Sequence, residues 1–447
     1  MIKIKNYTNA CVTIEGKNEK IIIDPWFYDG IYQGTWHNFP RLSENQKIEA
    51  FTSVTFCLYT HLHKDHFCIE TAKKYCPKDM QFLVPRVFGW QVMSNTLKEA
   101  GFNNVNVLEC SAESFLTEEF DITAVPPINV TGLESQKENS MSIDAGFSII
   151  CRKNGIKLVF LAGDNLYSAV RISENIKILN NPDLIGFAYS GFASDFPFKY
   201  RFNFEEKLKI LRDKEKVRFE LQVDNLKLLS PKCVMPYSSE FVAVGGHAAE
   251  WRRVIGEVWT CDKFEVARRY GKALNADFVA LYPEDTIIFD ENGARVDYLN
   301  SSFESGESIF KEMINYSDSL TCSEGSSRVF KNTVRDSEFD FGLLELAAKN
   351  YSKAIKKHSL EPKQEIIISI DGDRRLHLDK EGSLKDINGD AGIDPFIIVD
   401  VNAGILKLII DGDLHWDDAC LSMKLNWHRE PNFFCSDTLN ALNYFRL

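Results

Sequence analysis

Residues Thr60 to Phe67 read T-H-L-H-K-D-H-F, directly after the apolar run Val54-Thr55-Phe56-Cys57-Leu58-Tyr59. An H-x-H-x-D-H pattern that closes a hydrophobic strand leaves a folded chain few options. Along a strand, residues two apart face the same way, so His61 and His63 present two imidazoles to one point. The chain must then turn, and Asp65 and His66 on that turn can reach a second point nearby. Imidazole with carboxylate suits Zn, Fe or Mn better than Ca or Mg. The pattern therefore predicts a site for two transition-metal ions at the end of a buried strand.

This segment resembles the signature of the metallo-β-lactamase superfamily, and three further stretches follow suit in order. Ile21-Ile22-Ile23-Asp24-Pro25-Trp26-Phe27 is similar to the early strand and turn whose Asp supports the metal loop from behind. Leu158-Val159-Phe160-Leu161-Ala162-Gly163-Asp164 is similar to the strand ending in the Asp shared by both metals, and His247 follows Val244-Gly245-Gly246 where the last metal-binding His is expected. The resemblance implies that His61, His63 and Asp164 hold one ion, and Asp65, His66, Asp164 and His247 the other. Asp65 and Asp164 are then the catalytic carboxylates.

A narrower resemblance is to the CMP-N-acetylneuraminate hydroxylase family. It rests on Pro25-Trp26-Phe27, Gly191-Phe192-Ala193-Ser194-Asp195-Phe196-Pro197, Lys232-Cys233-Val234-Met235-Pro236-Tyr237 and Gly412-Asp413-Leu414-His415-Trp416-Asp417-Asp418. Those hydroxylases carry a Rieske iron–sulfur module, which needs paired C-x-H and C-x-x-H motifs. No Cys in this chain has a His two or three residues after it.

The nine His are His37, His61, His63, His66, His247, His358, His377, His415 and His428. The resemblance calls for one more metal His between the first motif and Asp164, yet no His lies between Phe67 and Asp164. Asp144, just before the strand-like Phe147-Ser148-Ile149-Ile150-Cys151, stands about where that His is expected. Glu134 and Glu138 are alternatives. Two His with one carboxylate and open positions favour non-haem Fe(II) and oxygen chemistry. The anomaly therefore leans toward a diiron oxygenase hydroxylating a polar metabolite, with an amino sugar or nucleotide sugar implied by the family. Zn or Mn ions can activate water within the same ligand set, so a hydrolase of phosphorylated or acylated molecules is the alternative.

Strands are expected at Ala10 to Ile14, Lys20 to Ile23, Val54 to Tyr59 and Gln81 to Val84, with helical stretches between them, including a long outer helix from Phe204 to Leu229. Alternating strands and helices argue for sheets covered by helices. With the metal motif, the expectation becomes a four-layer αββα metallo-β-lactamase sandwich over residues 1–290. A linker at 291–335 containing a short helix then leads to a smaller C-terminal α/β domain at 336–447. That domain opens on an amphipathic helix bearing Phe341, Leu344, Ala347 and Ala348, and it resembles the sterol-carrier-like module.

The balance of 52 Lys and Arg against 64 Asp and Glu, a net charge of −12, disfavours nucleic-acid or anionic-membrane partners. No stretch approaches the roughly 20 apolar residues of a membrane span. Eleven Cys without framework spacing point to reduced thiols and a cytoplasmic location. Lys199 and Arg201, with Tyr237, are candidates for binding an anionic small-molecule substrate. An oxygenase of this composition would draw electrons from a separate protein.

Overall fold

The computed structural model describes residues 1–111, 114–128, 143–161, 163, 167–189, 196–238, 240–245, 248–258, 263–290, 293–299, 306–321, 340–388 and 392–447. Asp164, His247, Glu134 and Glu138 lie outside these residues, as does the Gly191–Asp195 part of one family-like segment.

Two mixed sheets dominate residues 1–299. One runs, edge to edge, through Gly293–Asp297, Thr286–Asp290, Ile2–Thr8, Cys11–Glu15, Lys20–Ile23, Phe56–Leu58, Gln81–Pro85 and Val105–Leu108. The other runs through Asp277–Phe278, Cys233–Tyr237, Leu184–Ala188, Lys157–Leu161, Gly146–Cys151, Phe120–Val125 and Phe115–Leu116. Side-chain alternation sorts each strand between two cores. Ile21, Ile23, Phe56 and Leu58 join Phe147, Ile149, Leu158 and Phe160 in a core between the sheets. The intervening Ile22 and Cys57 instead face Ala50, Phe51, Ala72, Met93 and Leu97 on helices outside the first sheet. Val159, Leu161, Ile185 and Phe187 likewise face Ile172, Val223, Leu226 and Tyr270 outside the second. The result is helix, sheet, sheet, helix: the αββα sandwich of the metallo-β-lactamase fold.

The long outer helix, Phe204–Lys227, has a reciprocal cap at its start. Asn203 Oδ1 accepts from Glu206 N (3.0 Å), and Glu206 Oε2 accepts from Asn203 N (2.8 Å). Such a cap stabilises by about 1 kcal/mol. Pro231 lies just beyond the helix end, where its missing N–H and fixed φ cannot extend the ladder.

The first body extends past the expected boundary at residue 290. Gly293–Asp297 pairs antiparallel with Thr286–Asp290, so backbone bonding carries the sheet on to Asp297. The helix expected within a linker is Gly306–Thr321, and it is packed rather than free. Its Ile309 and Met313 bury with Trp36, Phe241 and Trp251, and Ser317 Oγ donates to Ala243 O at 2.8 Å. Ile309, Met313, Tyr316 and Leu320 recur at helical spacing, which supplies the apolar stripe that docks it.

The C-terminal residues form a five-stranded sheet ordered Leu384–Ile387, Arg374–Leu378, Glu365–Ile370, Phe396–Val401, Asn426–Glu430. Its core gathers Leu344, Ala347 and Tyr351 from helix Gly342–His358 with Leu406 and Ile409 from helix Ala403–Ile410. Two backbone bonds tie it to the sandwich, Trp427 N to Lys199 O (2.8 Å) and Arg201 N to Trp427 O (3.0 Å). Among the described residues no helix is long and apolar enough to cross a membrane.

Candidate metal centre

Parallel neighbours in a sheet end at the same edge, and this brings the metal motif together. Lys20–Ile23 and Phe56–Leu58 pair in parallel with Ile23 opposite Leu58, so Asp24 and Thr60 leave the sheet side by side. Asp24 takes the left-handed conformation (φ 45°), its N–H donates to Leu58 O, and its carboxylate turns back onto the motif. There Oδ1 accepts from Thr60 N (2.8 Å), while Oδ2 accepts from Thr60 Oγ1 (2.6 Å) and His66 Nδ1 (2.8 Å). In the opposite sheet Gly146 pairs with Leu161, so the start of one strand and the end of its neighbour share that edge. Asp144 and Gly163 meet there. A Cβ on Gly163 would lie 2.5 Å from the Asp144 side chain, and its φ of 98° is itself disfavoured for other residues. The two edges touch where Ser238 N donates to Asn9 O at 3.2 Å.

The hydrogen bonds assign the imidazoles. Thr60 Oγ1 gives its proton to Asp24, so it accepts from His61 Nδ1 (2.9 Å) and leaves the lone pair of His61 on Nε2. His66 gives its Nδ1 proton to Asp24, which likewise frees Nε2. His63 Nε2 lies 3.2 Å from Asp417 Oδ2, which leaves Nδ1 facing His61 Nε2 at 3.0 Å. Two nitrogens bound to one ion at about 2.05 Å stand roughly 2.9–3.3 Å apart, for right-angled to tetrahedral geometry. Asp144 Oδ1 lies 3.8 Å from His61 Nε2. His61, His63 and Asp144 each offer a ligand atom, all within 4.8 Å of one another. Imidazole nitrogens and a carboxylate at this spacing fit a transition-metal ion.

Burial, together with the charges of His66 and His63, pushes the His61 imidazole well below its ordinary range, toward the neutral form a ligand needs. Burial also opposes charge on His63 and His66, but carboxylates outweigh it. Asp417, with Asp65 and Asp144 further off, pushes His63 up to about 10. Asp65 and Asp24 raise His66. Before any ion binds, the pocket thus holds negative charge that protons partly offset.

On the second half, Asp65 Oδ2 lies 3.4 Å from His66 Nε2. Tyr32 Oη donates to Asp65 Oδ1 (2.8 Å) and accepts from Lys64 N (3.0 Å). Asn9 Nδ2 donates to Asp65 Oδ2 at 3.3 Å. Asn9 and Tyr32 both hold positive φ, 42° and 49°. Such a conformation is rare for an aromatic residue and tends to mark functional positions. The sequence reading did not single out either. Asn9 carried only an ordinary turn signal, and Tyr32 carried none.

The substrate candidates are scattered. Lys199 is buried, and its charge helps hold the Asp417 carboxyl below the usual range, after His63 and His415. The Arg201 guanidinium is engaged by both Asp400 oxygens (2.8 and 2.6 Å). Tyr237 is fully buried in the core between the sheets. His37, on strand Trp36–Asn38, bonds Gly34 O at 3.2 Å.

No family model matches the chain. A curated protein of Mycolicibacterium smegmatis, named as a candidate Rieske 2Fe-2S iron–sulfur protein, is 30% identical over 105 residues. The match takes in 23% of this chain and 19% of that protein, so the chain spans about a fifth of the relative's length. Solved structures of similar fold include Igni18, a metallo hydrolase from Ignicoccus hospitalis (16% identity, TM-score 0.40, 67% of this chain and 99% of that one). CmlA, a diiron β-hydroxylase from Streptomyces venezuelae, is another (15%, 0.42, 67% and 54%). A third is an isothiocyanate hydrolase from Delia radicum gut bacteria (16%, 0.42, 64% and 99%).

Proposed function

We propose that this chain is a metal-dependent enzyme with two transition-metal ions at the sheet edge, and that it acts as a diiron oxygenase hydroxylating a polar, anionic metabolite. The amino-sugar or nucleotide-sugar class is what the family resemblance suggests. The observation that carries this reading is the donor set His61, His63 and Asp144, within 4.8 Å. Two imidazoles with one carboxylate and open positions suit non-haem iron. A carboxylate where a neutral imidazole is usual adds negative charge, which stabilises oxidised iron and weakens Lewis acidity. Iron bound there would supply the activation of dioxygen.

In this reading His61, His63 and Asp144 hold the first ion and Asp65, His66 and His247 the second, with Asp164 shared. Asp24 and Thr60 keep the imidazoles of His61 and His66 in the ligating tautomer. Tyr32 and Asn9 aim the Asp65 carboxylate. Lys199 and Arg201 are the candidates for binding an anionic substrate group, Arg201 being also engaged by both Asp400 oxygens. Tyr237 would contribute only if its hydroxyl reached the substrate from the core. An electron donor outside this sequence is part of the reading, as no Cys in the sequence has a His two or three residues after it. The nine described cysteines are free thiols, in keeping with a reducing cytoplasm.

The test is the metal of the protein as isolated. Tightly bound iron that, once reduced, reacts with O₂ is the expected result. Zinc or manganese alone, with phosphodiester or lactone hydrolysis, replaces this reading with a hydrolase.

A further inference from the structure

Helix Trp416–Leu421 belongs to the C-terminal unit, yet it is fastened to the metal motif at its start and to Thr35 and Trp36 at its end. At its start Asp417 Oδ2 meets His63 Nε2 at 3.2 Å, and Asp418 Oδ2 pairs with Lys64 Nζ at 2.7 Å. At its end Leu421 O accepts from Trp36 Nε1 (2.9 Å), and Ser422 O accepts from Thr35 Oγ1 (2.7 Å). Met423 then buries with Trp26, Tyr32 and Trp36. Besides the Asp417–His63 contact, three bonds from the two ends of this short helix hold Asp417 where it stands.

That contact decides which nitrogen His63 can offer an ion. A carboxylate accepts only, so in the neutral imidazole that an ion requires, the Nε2 position beside Asp417 carries the remaining proton and the lone pair falls on Nδ1. Nδ1 is the atom facing His61 Nε2 at 3.0 Å. The opposite tautomer would set a bare Nε2 lone pair against a carboxylate and aim an N–H at the ion. We propose that Asp417 is a positioning residue of the metal centre, holding His63 as an Nδ1 ligand, so that the C-terminal unit completes a site otherwise built by the sandwich. The inference rests on the metal reading of His61 and His63 given above. A carboxylate hydrogen-bonded to a ligating imidazole fixes its tautomer, orients its ring and raises its basicity, and its loss typically lowers metal affinity about 10–100-fold.

The experiment uses the full chain and Zn²⁺ as probe, with the dissociation constant taken by competition against a chelator. Asp417→Ala should weaken Zn²⁺ binding about 10–100-fold. Asp417→Glu should recover part of that loss. Asp411→Asn, which removes the surface partner of Lys407 in the same unit, should bind within twofold of the native chain. In ¹⁵N-histidine spectra of the Zn²⁺-loaded native protein, His63 should show a metal-bound Nδ1 and a protonated, exchange-protected Nε2. That proton signal should disappear in Asp417→Ala. If Asp417→Ala does not fold, Asp417→Asn takes its place, with about a tenfold loss expected. Affinity within twofold of native in the folded Asp417 variant overturns the proposal. An equal loss in Asp411→Asn, or His63 bound through Nε2, overturns it as well. His61→Ala separates the two readings. If it loses the ion while Asp417→Ala keeps it, only this inference fails; if it too keeps the ion, the metal reading fails first.

Discussion

The two walls of the metal centre are made differently. The inner wall is Asp24, Thr60, His61 and His66, all nearly or fully buried, on the segments that follow two strands lying side by side. The outer wall is Asp417 and Asp418, whose side chains keep 47% and 22% exposure and whose link to the motif spans 354 positions in the chain. Inner-wall geometry follows from parallel register, so it cannot shift without disturbing the core between the sheets. The outer wall rests on polar bonds and on Met423 packed against Trp26, Tyr32 and Trp36, and is expected to loosen before the sandwich unfolds.

The largest expected effect tests whether the inner wall holds the ions at all. His61→Ala with His63→Ala should lose at least one equivalent of metal in elemental analysis while keeping a native circular dichroism spectrum. Full occupancy in that double variant would sink the ligand assignment. Next is Asp24→Ala, which leaves Thr60 N–H, Thr60 O–H and His66 Nδ1–H without their acceptor in a buried place. A cost on the order of 3–5 kcal/mol is expected in urea denaturation. A cost under about 1 kcal/mol would mean that the inner wall is not coupled to the core.

Asp144→His sharpens the comparison rather than breaking it. The variant should keep its ion but raise the zinc-to-iron ratio after growth with both metals, and lose reactivity with O₂. An unchanged ratio removes the argument from the carboxylate. In the metal-loaded protein, an Asp144 oxygen well beyond the roughly 2.0–2.2 Å of a metal–oxygen bond would remove it too. The smallest effect is that of Thr35→Val, which deletes one bond to Ser422 O at a cost of about 1 kcal/mol. Hydrogen exchange should quicken at residues 416–423 and stay slow at 20–23 and 56–58. Equal quickening in both segments would mean that the two walls open together.

Much of the inner wall was legible because its causes are local. The run Ile21-Ile22-Ile23-Asp24 and the run ending at Thr60 each declared a buried strand with a polar residue at its end. Strands Lys20–Ile23 and Gln81–Pro85 fall where the apolar runs put them. The strand before the motif is shorter than its apolar run, Phe56–Leu58 against Val54–Tyr59, because the chain leaves the sheet at Tyr59 toward the site. The lack of a His between Phe67 and Asp164 directed attention to Asp144, and the fold brings Asp144 beside His61. Its role on an ion is for the experiments above.

Other features had no sequence signal of comparable strength. Helix Gly306–Thr321 carried an apolar stripe amid polar sequence, but only the placement of Trp36 and Phe241, with which it buries, explains where it docks. Tyr32 acts through a backbone conformation that its residue type disfavours, so propensity points away from it. Asp417 was visible within Leu414-His415-Trp416-Asp417-Asp418 as a family-like motif, without any hint that it faces His63. The order of residues alone determined that two imidazoles share a face and that a carboxylate and a third imidazole follow on the turn, because strand geometry repeats every two residues. Tertiary structure decided which nitrogen of each imidazole is free and which carboxylate from the far end of the chain meets it. Those depend on how two separately buried cores pack together, and that packing has no short-range period to read.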